Sequence, residues 1–82
     1  MTGRALFDGV CARSGLAAMI GPGTVQRALS SVGVASPELA RPDDYRRALP
    51  QMRQRMAFYL PPEELEQRTL DIEALLAVAQ VP

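Results

Sequence analysis

Few side chains in this chain of 82 residues could carry out covalent or acid-base chemistry. The sequence has no histidine and no lysine, which excludes Ser-His and Cys-His nucleophilic pairs, imidazole metal ligands and amines that form Schiff bases. Cys11, Tyr45 and Tyr59 remain, and none has a partner at a spacing that a catalytic mechanism requires. We therefore predict a protein that is not an enzyme and binds no cofactor.

The carboxylates near the C-terminal end could in principle bind a hard cation. Glu66 and Glu73 share one flank of a predicted helix, but Asp71 points elsewhere and no loop provides the spacing of a calcium site. We interpret this acidic group as a solvated helix face with no metal. The group consists of Glu63, Glu64, Glu66, Asp71 and Glu73.

Cys11 is the only cysteine, and it lies on an apolar helix stripe. A single cysteine forms no internal disulfide, which favours the reducing cytoplasm as the location of so small a protein. A reactive thiol needs a cationic neighbour to lower its pKa, and the position of Cys11 on the apolar stripe instead predicts a small buried hydrophobic residue.

The arginines are the strongest candidates for a binding site, because the formal charge is zero overall but unevenly spread. Residues 41–60 carry five arginines and two aspartates, whereas residues 61–82 carry one arginine and five acidic residues. Arg46 and Arg53 share one flank of a predicted helix, and Arg47 and Arg55 lie on the other side.

Two interpretations of these arginines stay open. In the first, Arg53 and Arg55 pair with Glu63, Glu64 and Glu66 of the last helix across an antiparallel hairpin, each pair contributing at most about 1 kcal/mol. In the second, Arg46, Arg47, Arg53 and Arg55 bind an acidic partner or the phosphates of DNA. The sequence pI of about 6.2 disfavours nucleic acid relative to a protein partner.

Some large apolar residues fall outside the apolar stripes of their helices. Leu16, Phe58 and Leu70 are in this position, and a chain this short has only a small core to fill. We expect a second contact surface that includes Phe58 and Leu70 and serves self-association or a partner protein.

The segment from Gly21 to Thr24, Gly-Pro-Gly-Thr, has the glycines of a phosphate-binding loop, but no lysine and no preceding strand. We interpret it as a turn between helices, with Thr24 as the N-cap of the next helix. The helix-turn-helix motif is also excluded, because Leu29 is too large for its position and prolines interrupt the second helix.

Turn residues divide the chain into helices and never into strands. We expect helices over about residues 4–19, with a possible break at Ser14–Gly15, over about 24–32, from Pro42 to about Leu60, and from Pro62 to about Ala79. Gly33 ends the second helix, one short turn begins at Ser36, and Val81 and Pro82 fray. Pro50 either kinks the third helix or divides it into two.

The spacing of the apolar residues predicts which helix faces are buried. These predicted core positions are Phe7, Val10, Cys11, Ser14, Ala17, Ala18, Val25, Ala28, Leu29, Val32, Tyr45, Ala48, Leu49, Met52, Met56, Tyr59, Leu60, Leu65, Thr69, Ile72, Leu75, Leu76 and Ala79.

These patterns together predict one all-α domain over residues 1–82, a small four-helix bundle or orthogonal helical array with a short extra turn. No segment is apolar enough to insert into a membrane. We expect a cytoplasmic interaction module or accessory subunit that binds another protein or itself as a homo-oligomer. The alternative is a DNA-associated regulatory protein that uses the arginine-rich third helix.

Overall fold

Four α-helices and one short 3-10 helix form the computed structural model, which describes residues 1–81. The elements are α1 (Gly3–Arg13), α2 (Gly21–Ser31), the 3-10 helix η1 (Pro37–Leu39), α3 (Pro42–Met56) and α4 (Pro62–Val78). No strand occurs among the described residues. The predicted all-α class with a short extra turn is therefore confirmed.

Helix α1 ends at the break that the sequence indicates. Ser14 is its C-cap, and the Ser14 hydroxyl donates a 2.7 Å hydrogen bond to the carbonyl of Cys11. Gly15 follows with φ of 73°, in the left-handed region that glycine adopts without strain. The expected continuation to residue 19 is wrong, and Ala17 and Ala18 are exposed rather than part of a buried stripe.

Helix α2 begins three residues earlier than the sequence analysis places it. Gly21 is its first residue and Ile20 its N-cap, so Gly21–Thr24 forms the first turn and not a loop. Proline fits there because its fixed φ is helical and the first-turn N–H groups have no acceptor within the helix. Thr24 is consequently a buried helical residue and not the N-cap. Gly33 has a φ of 89°, as predicted.

Helix α3 is continuous, which settles the alternative left open at Pro50 in favour of one helix. Pro50 is exposed, so the missing N–H lies on the solvent side. The helix ends at Met56, four residues before the expected end. For this reason Tyr59 lies beyond the helix and is 56% exposed, and its predicted place in the core is wrong.

The helices share one apolar core. Helix α3 lies between α2 and α4, and α1 contacts α2, α4 and η1. The buried apolar residues are Leu6, Phe7, Val10, Val25, Ala28, Leu29, Ala40, Tyr45, Ala48, Met52, Met56, Ile72, Leu75 and Leu76. The predicted stripes of α2, α3 and α4 are therefore largely confirmed, with Ser14 and Thr69 as buried polar members.

Two smaller expectations are corrected by the packing. Leu16 is half-buried against the core, because the chain turns after Gly15 and carries this side chain back over the helices. Val81 is also half-buried, and its carbonyl accepts a 2.7 Å hydrogen bond from Arg41. Pro82, which was expected to fray with Val81, lies outside the described residues. None of the described helices has the length and apolar character needed to cross a membrane.

Candidate functional site

Several large apolar side chains lie on the surface. Their exposed fractions are 53% for Met1, 96% for Met19, 72% for Leu39, 86% for Phe58, 56% for Tyr59, 56% for Leu70 and 76% for Val78. Three of them, Met19, Phe58 and Tyr59, belong to the segments that precede α2 and follow α3. Tyr59 and Met19 line one depression at the beginning of α2, and Phe58 precedes Tyr59 in the chain, so these three residues share one end of the α2–α3 pair.

Two surface depressions are lined by these side chains. Met19, Arg27 and Tyr59 line the first, together with the first turns of α2. Arg55 and Phe58 line the second, with Gln51 and Gln54 of α3. We call the set Met19, Arg27, Arg55, Phe58 and Tyr59 the α2–α3 face.

The contact of Arg47 with α2 shows how the two helices run relative to each other. Residues 47, 51, 54, 55 and 58 follow one another at helical spacing on one flank of α3. At the start of that flank, the Arg47 guanidinium donates a 3.3 Å hydrogen bond to the carbonyl of Val32, at the C-cap of α2. The two helices are therefore antiparallel, and Arg55 and Phe58 lie toward the beginning of α2.

No acidic side chain of α2, or of α3 after Asp44, balances the positive charge on the α2–α3 face. Residues 9–37 and 45–62 contain no aspartate or glutamate. Among residues 1–81, neither Arg27 nor Arg55 forms an ion pair. Both guanidinium groups are exposed, so they are accessible to carboxylates of another molecule.

The other three arginines of the predicted site are engaged within the molecule. Arg46 forms an ion pair with Asp43 and donates a 2.9 Å hydrogen bond to the carbonyl of Leu76 in α4. Arg47 forms an ion pair with Asp44 in addition to its bond to α2. Each of the two arginines thus contacts a different neighbouring helix.

Arg53 pairs with Glu66 of α4 across the α3–α4 hairpin. This is the internal pairing that the first interpretation of the arginines expects. The flanks are also as predicted, because Arg46 and Arg53 contact α4 while Arg47 contacts α2. Arg55 alone of the four has no partner within residues 1–81.

Phe58 and Leu70, the two predicted apolar contact residues, are both exposed but lie on different faces. Phe58 is beside Arg55 in the depression lined by Gln51 and Gln54 of α3. Leu70 lies on the solvent side of α4, the helix that packs on the opposite flank of α3. The structure therefore divides the predicted contact surface into two surfaces.

The solvent side of α4 carries apolar and acidic side chains together. Leu70, Ala74 and Ala77 follow one another at helical spacing and are all exposed, with Val78 beside them. Glu66 and Glu73 lie along one edge of this stripe and are exposed as well. We call Glu66, Leu70, Glu73, Ala74, Ala77 and Val78 the α4 outer face.

Cys11 and Tyr45, two of the groups considered for covalent chemistry, are held in their protonated forms. Burial raises the pKa of the Cys11 thiol from 9.0 to about 11, and the Asp8 carboxylate acts in the same direction. Burial also raises the pKa of Tyr45, whose hydroxyl is fully buried and has no hydrogen-bond partner in the described part of the chain. Cys11 is half-buried against the core, close to its predicted placement.

Residues 1–81 contain no group of three or more cysteine, aspartate or glutamate side chains arranged to hold a metal ion. Glu66 pairs with Arg53, Glu64 pairs with Arg68 at 3.4 Å, and Asp71 accepts a 3.1 Å hydrogen bond from Gln67. The acidic side chains of α4 are therefore distributed along the helix and partly engaged with their neighbours.

Comparison of the chain with protein-family models, with curated proteins and with solved structures found no match. Functional inference consequently rests on the residues and their arrangement.

The sequence analysis did not single out Met19 or Arg27, which belong to the α2–α3 face. Met19 was placed inside a helix over residues 4–19, where it would have been an ordinary helical residue. The glycine and proline at positions 21 and 22 are the signal that could have corrected this, since together they favour a helix start and leave Met19 in the preceding turn.

Proposed function

We propose that this protein is a non-enzymatic interaction module that binds another protein chain through its α2–α3 face. The observation that carries the proposal is the exposure of Met19 and Phe58, at 96% and 86%, next to two arginines that form no ion pair within residues 1–81. Exposed large apolar side chains that cluster on a small protein are typical of contact surfaces.

The composition of the face supports the same function. Methionine, arginine and aromatic residues are enriched at protein interfaces, whereas lysine, glutamate and aspartate are depleted. The five residues of the face are one methionine, two arginines and two aromatic residues. Burying Phe58 and Met19 would supply the free energy of binding, and Arg27 and Arg55 would orient a partner that carries carboxylates.

DNA binding, the alternative that the sequence raises, has less support. Three of the four arginines that would contact phosphates already form ion pairs, with Asp43, Asp44 and Glu66. Freeing them would require breaking these pairs and the hydrogen bonds from Arg46 and Arg47 to neighbouring helices. A gel-shift titration with mixed duplex DNA at low salt tests this alternative, which predicts a complex that dissociates steeply as salt is added.

The size of the native complex tests the interaction module. Tagged protein is fractionated by size-exclusion chromatography from an extract of the cells that produce it, as wild type, Phe58→Arg and Leu39→Arg. Leu39 is a matched control because it is 72% exposed and lies in η1, away from the α2–α3 face. We expect wild type and Leu39→Arg to elute well above the monomer mass of 8.9 kDa, and Phe58→Arg to elute as a monomer. Elution of the wild type as a monomer, or an unchanged complex with Phe58→Arg, would contradict the proposal.

A further inference from the structure

The two surfaces of this molecule differ in charge and resemble each other in their apolar content. The α2–α3 face presents Met19, Phe58 and Tyr59 beside arginines, and no carboxylate lies in α2 or in α3 after Asp44. The α4 outer face presents Leu70 and Val78 with two alanines between them. Arg13 of α1 lies beside Ala74 and Val78, and Arg53 pairs with Glu66, so Glu73 is the carboxylate of this face that has no ion pair within residues 1–81. The α2–α3 face offers arginines to the carboxylates of the α4 outer face, and both faces offer apolar side chains.

We propose that the partner of the α2–α3 face is the α4 outer face of a second copy of this chain, which makes the contact head-to-tail. This inference rests on the proposed function and names its partner. In such a contact the alanines at positions 74 and 77 allow Phe58 and Met19 to approach the α4 backbone. Glu73 of one copy then lies within reach of Arg27 or Arg55 of the other.

Charge supports a contact between copies over a contact with an unrelated acidic protein. The formal net charge of the chain is zero, so two copies do not repel each other as whole molecules. The positive charge of Arg55 and the carboxylates of the α4 outer face lie on different sides of α3, because Arg53 pairs with Glu66 of α4 whereas Arg55 lies with Phe58 in a depression that contains no α4 residue. Molecules with this separation attract each other when they are aligned head-to-tail.

The two faces have different residues, so the contact is heterologous and each copy keeps one free face of each kind. Heterologous contacts continue into rings or open filaments rather than ending at a dimer. Self-association should therefore proceed beyond two copies as the protein concentration rises. An isologous dimer, in which the α2–α3 faces of two copies meet, would bring the arginines of both copies together without carboxylates and is disfavoured for that reason.

Purified protein with one face blocked at a time tests the inference by analytical ultracentrifugation. Met19→Arg with Phe58→Arg blocks the α2–α3 face, and Leu70→Arg with Glu73→Arg blocks the α4 outer face, so that the two blocked faces carry like charge and repel each other. All four positions are exposed, and circular dichroism checks that the variants keep their helices. We expect wild type and the control Leu39→Arg to form a series of oligomers that shortens as salt rises from about 50 mM to about 500 mM, because salt screens exposed charges.

The decisive sample is a mixture of the two blocked variants. Each variant alone should be a monomer, and the equimolar mixture should form a discrete dimer with one intact contact. Assembly by either variant alone, or no dimer in the mixture, would overturn the inference.

A wild type that stays monomeric when pure would overturn the inference too. A large complex in the cell extract would then leave the proposed function in place with a different partner. Loss of assembly only in the variant whose α2–α3 face is blocked would indicate the isologous dimer instead.

Discussion

Arg46 of α3 donates a 2.9 Å hydrogen bond to the carbonyl of Leu76, in the last turn of α4. That last turn contains no basic residue, and the final four carbonyls of any helix lack partners within the helix. The Arg46 guanidinium therefore satisfies an open carbonyl and places positive charge at the negative end of the α4 dipole. Arg47 does the same at the end of α2, whose last turn also lacks a basic residue.

Arg46→Ala should lower the stability of the fold more than Arg55→Ala does. Loss of a charged hydrogen bond at a helix end costs about 1–2 kcal/mol, whereas an exposed side chain without partners changes stability by about 0.5 kcal/mol or less. Urea unfolding followed by circular dichroism measures both values. Equal losses for the two variants would show that the contact of Arg46 with α4 does not stabilise the fold.

Gly3→Ala should destabilise the protein strongly, because α1 crosses η1 at this position. A Cβ at Gly3 would lie 2.1 Å from the Glu38 carbonyl oxygen, a backbone atom that moves only with η1. Gly23→Ala is the matched control, since a Cβ there meets no atom within 4 Å and alanine favours the helix by up to about 1 kcal/mol. The thermal midpoint should fall for Gly3→Ala and rise for Gly23→Ala. A Gly3→Ala variant as stable as wild type would mean that α1 and η1 separate at low cost.

Cys11 should make the stability depend on pH in the alkaline range. Its pKa is 9.0 without burial and about 11 in the fold, so above about pH 9 the unfolded chain loses the proton first. The contribution of the protonated Cys11 thiol to the free energy of unfolding is therefore fully present below about pH 9 and is lost as the pH rises toward about 11. No lysine titrates in this range, and the raised pKa of Tyr45 adds a similar loss only from about pH 10 upward.

The urea midpoint between about pH 9 and about pH 10 isolates the thiol. Wild type should lose stability over this interval, and Cys11→Ala should be nearly flat. The same slope in both proteins would rule out Cys11 as the cause.

Tyr45→Phe should leave the protein as stable as wild type or raise its free energy of unfolding by about 1 kcal/mol. The Tyr45 hydroxyl is buried and has no hydrogen-bond partner within residues 1–81, and an unsatisfied buried polar group costs about 1–3 kcal/mol of desolvation. Phenylalanine keeps the ring in the core and removes that cost. A less stable variant would indicate that the hydroxyl forms a hydrogen bond in solution.

Local sequence signals predicted the fold well, because prolines and glycines determine most of the helix ends. Pro42 and Pro62 begin α3 and α4, and Gly15 and Gly33 take the left-handed conformation after α1 and α2. The start of α2 was missed because Gly-Pro-Gly is common in turns, although proline also suits a first helical turn.

The candidate site was harder to predict than the fold. The sequence identifies the arginines, but it does not show which groups Arg46, Arg47 and Arg55 contact after folding. Helix periodicity gave their flanks correctly, whereas the carbonyl that Arg46 contacts belongs to a residue thirty positions away. The exposure of Tyr59 was missed for a related reason, because the helix ends before the apolar stripe does.

Hydroxyl-radical footprinting with mass spectrometry tests the central claim most directly, because methionine and aromatic side chains are readily oxidised when exposed. The native complex and the dissociated monomer are labelled in parallel, and Met1, which is 53% exposed, serves as the internal reference against Met19. Binding through the α2–α3 face predicts that Met19, Phe58 and Tyr59 are oxidised in the monomer and protected in the complex, with Met1 unchanged. Oxidation of Met19 and Phe58 at the same rate in both samples would contradict it.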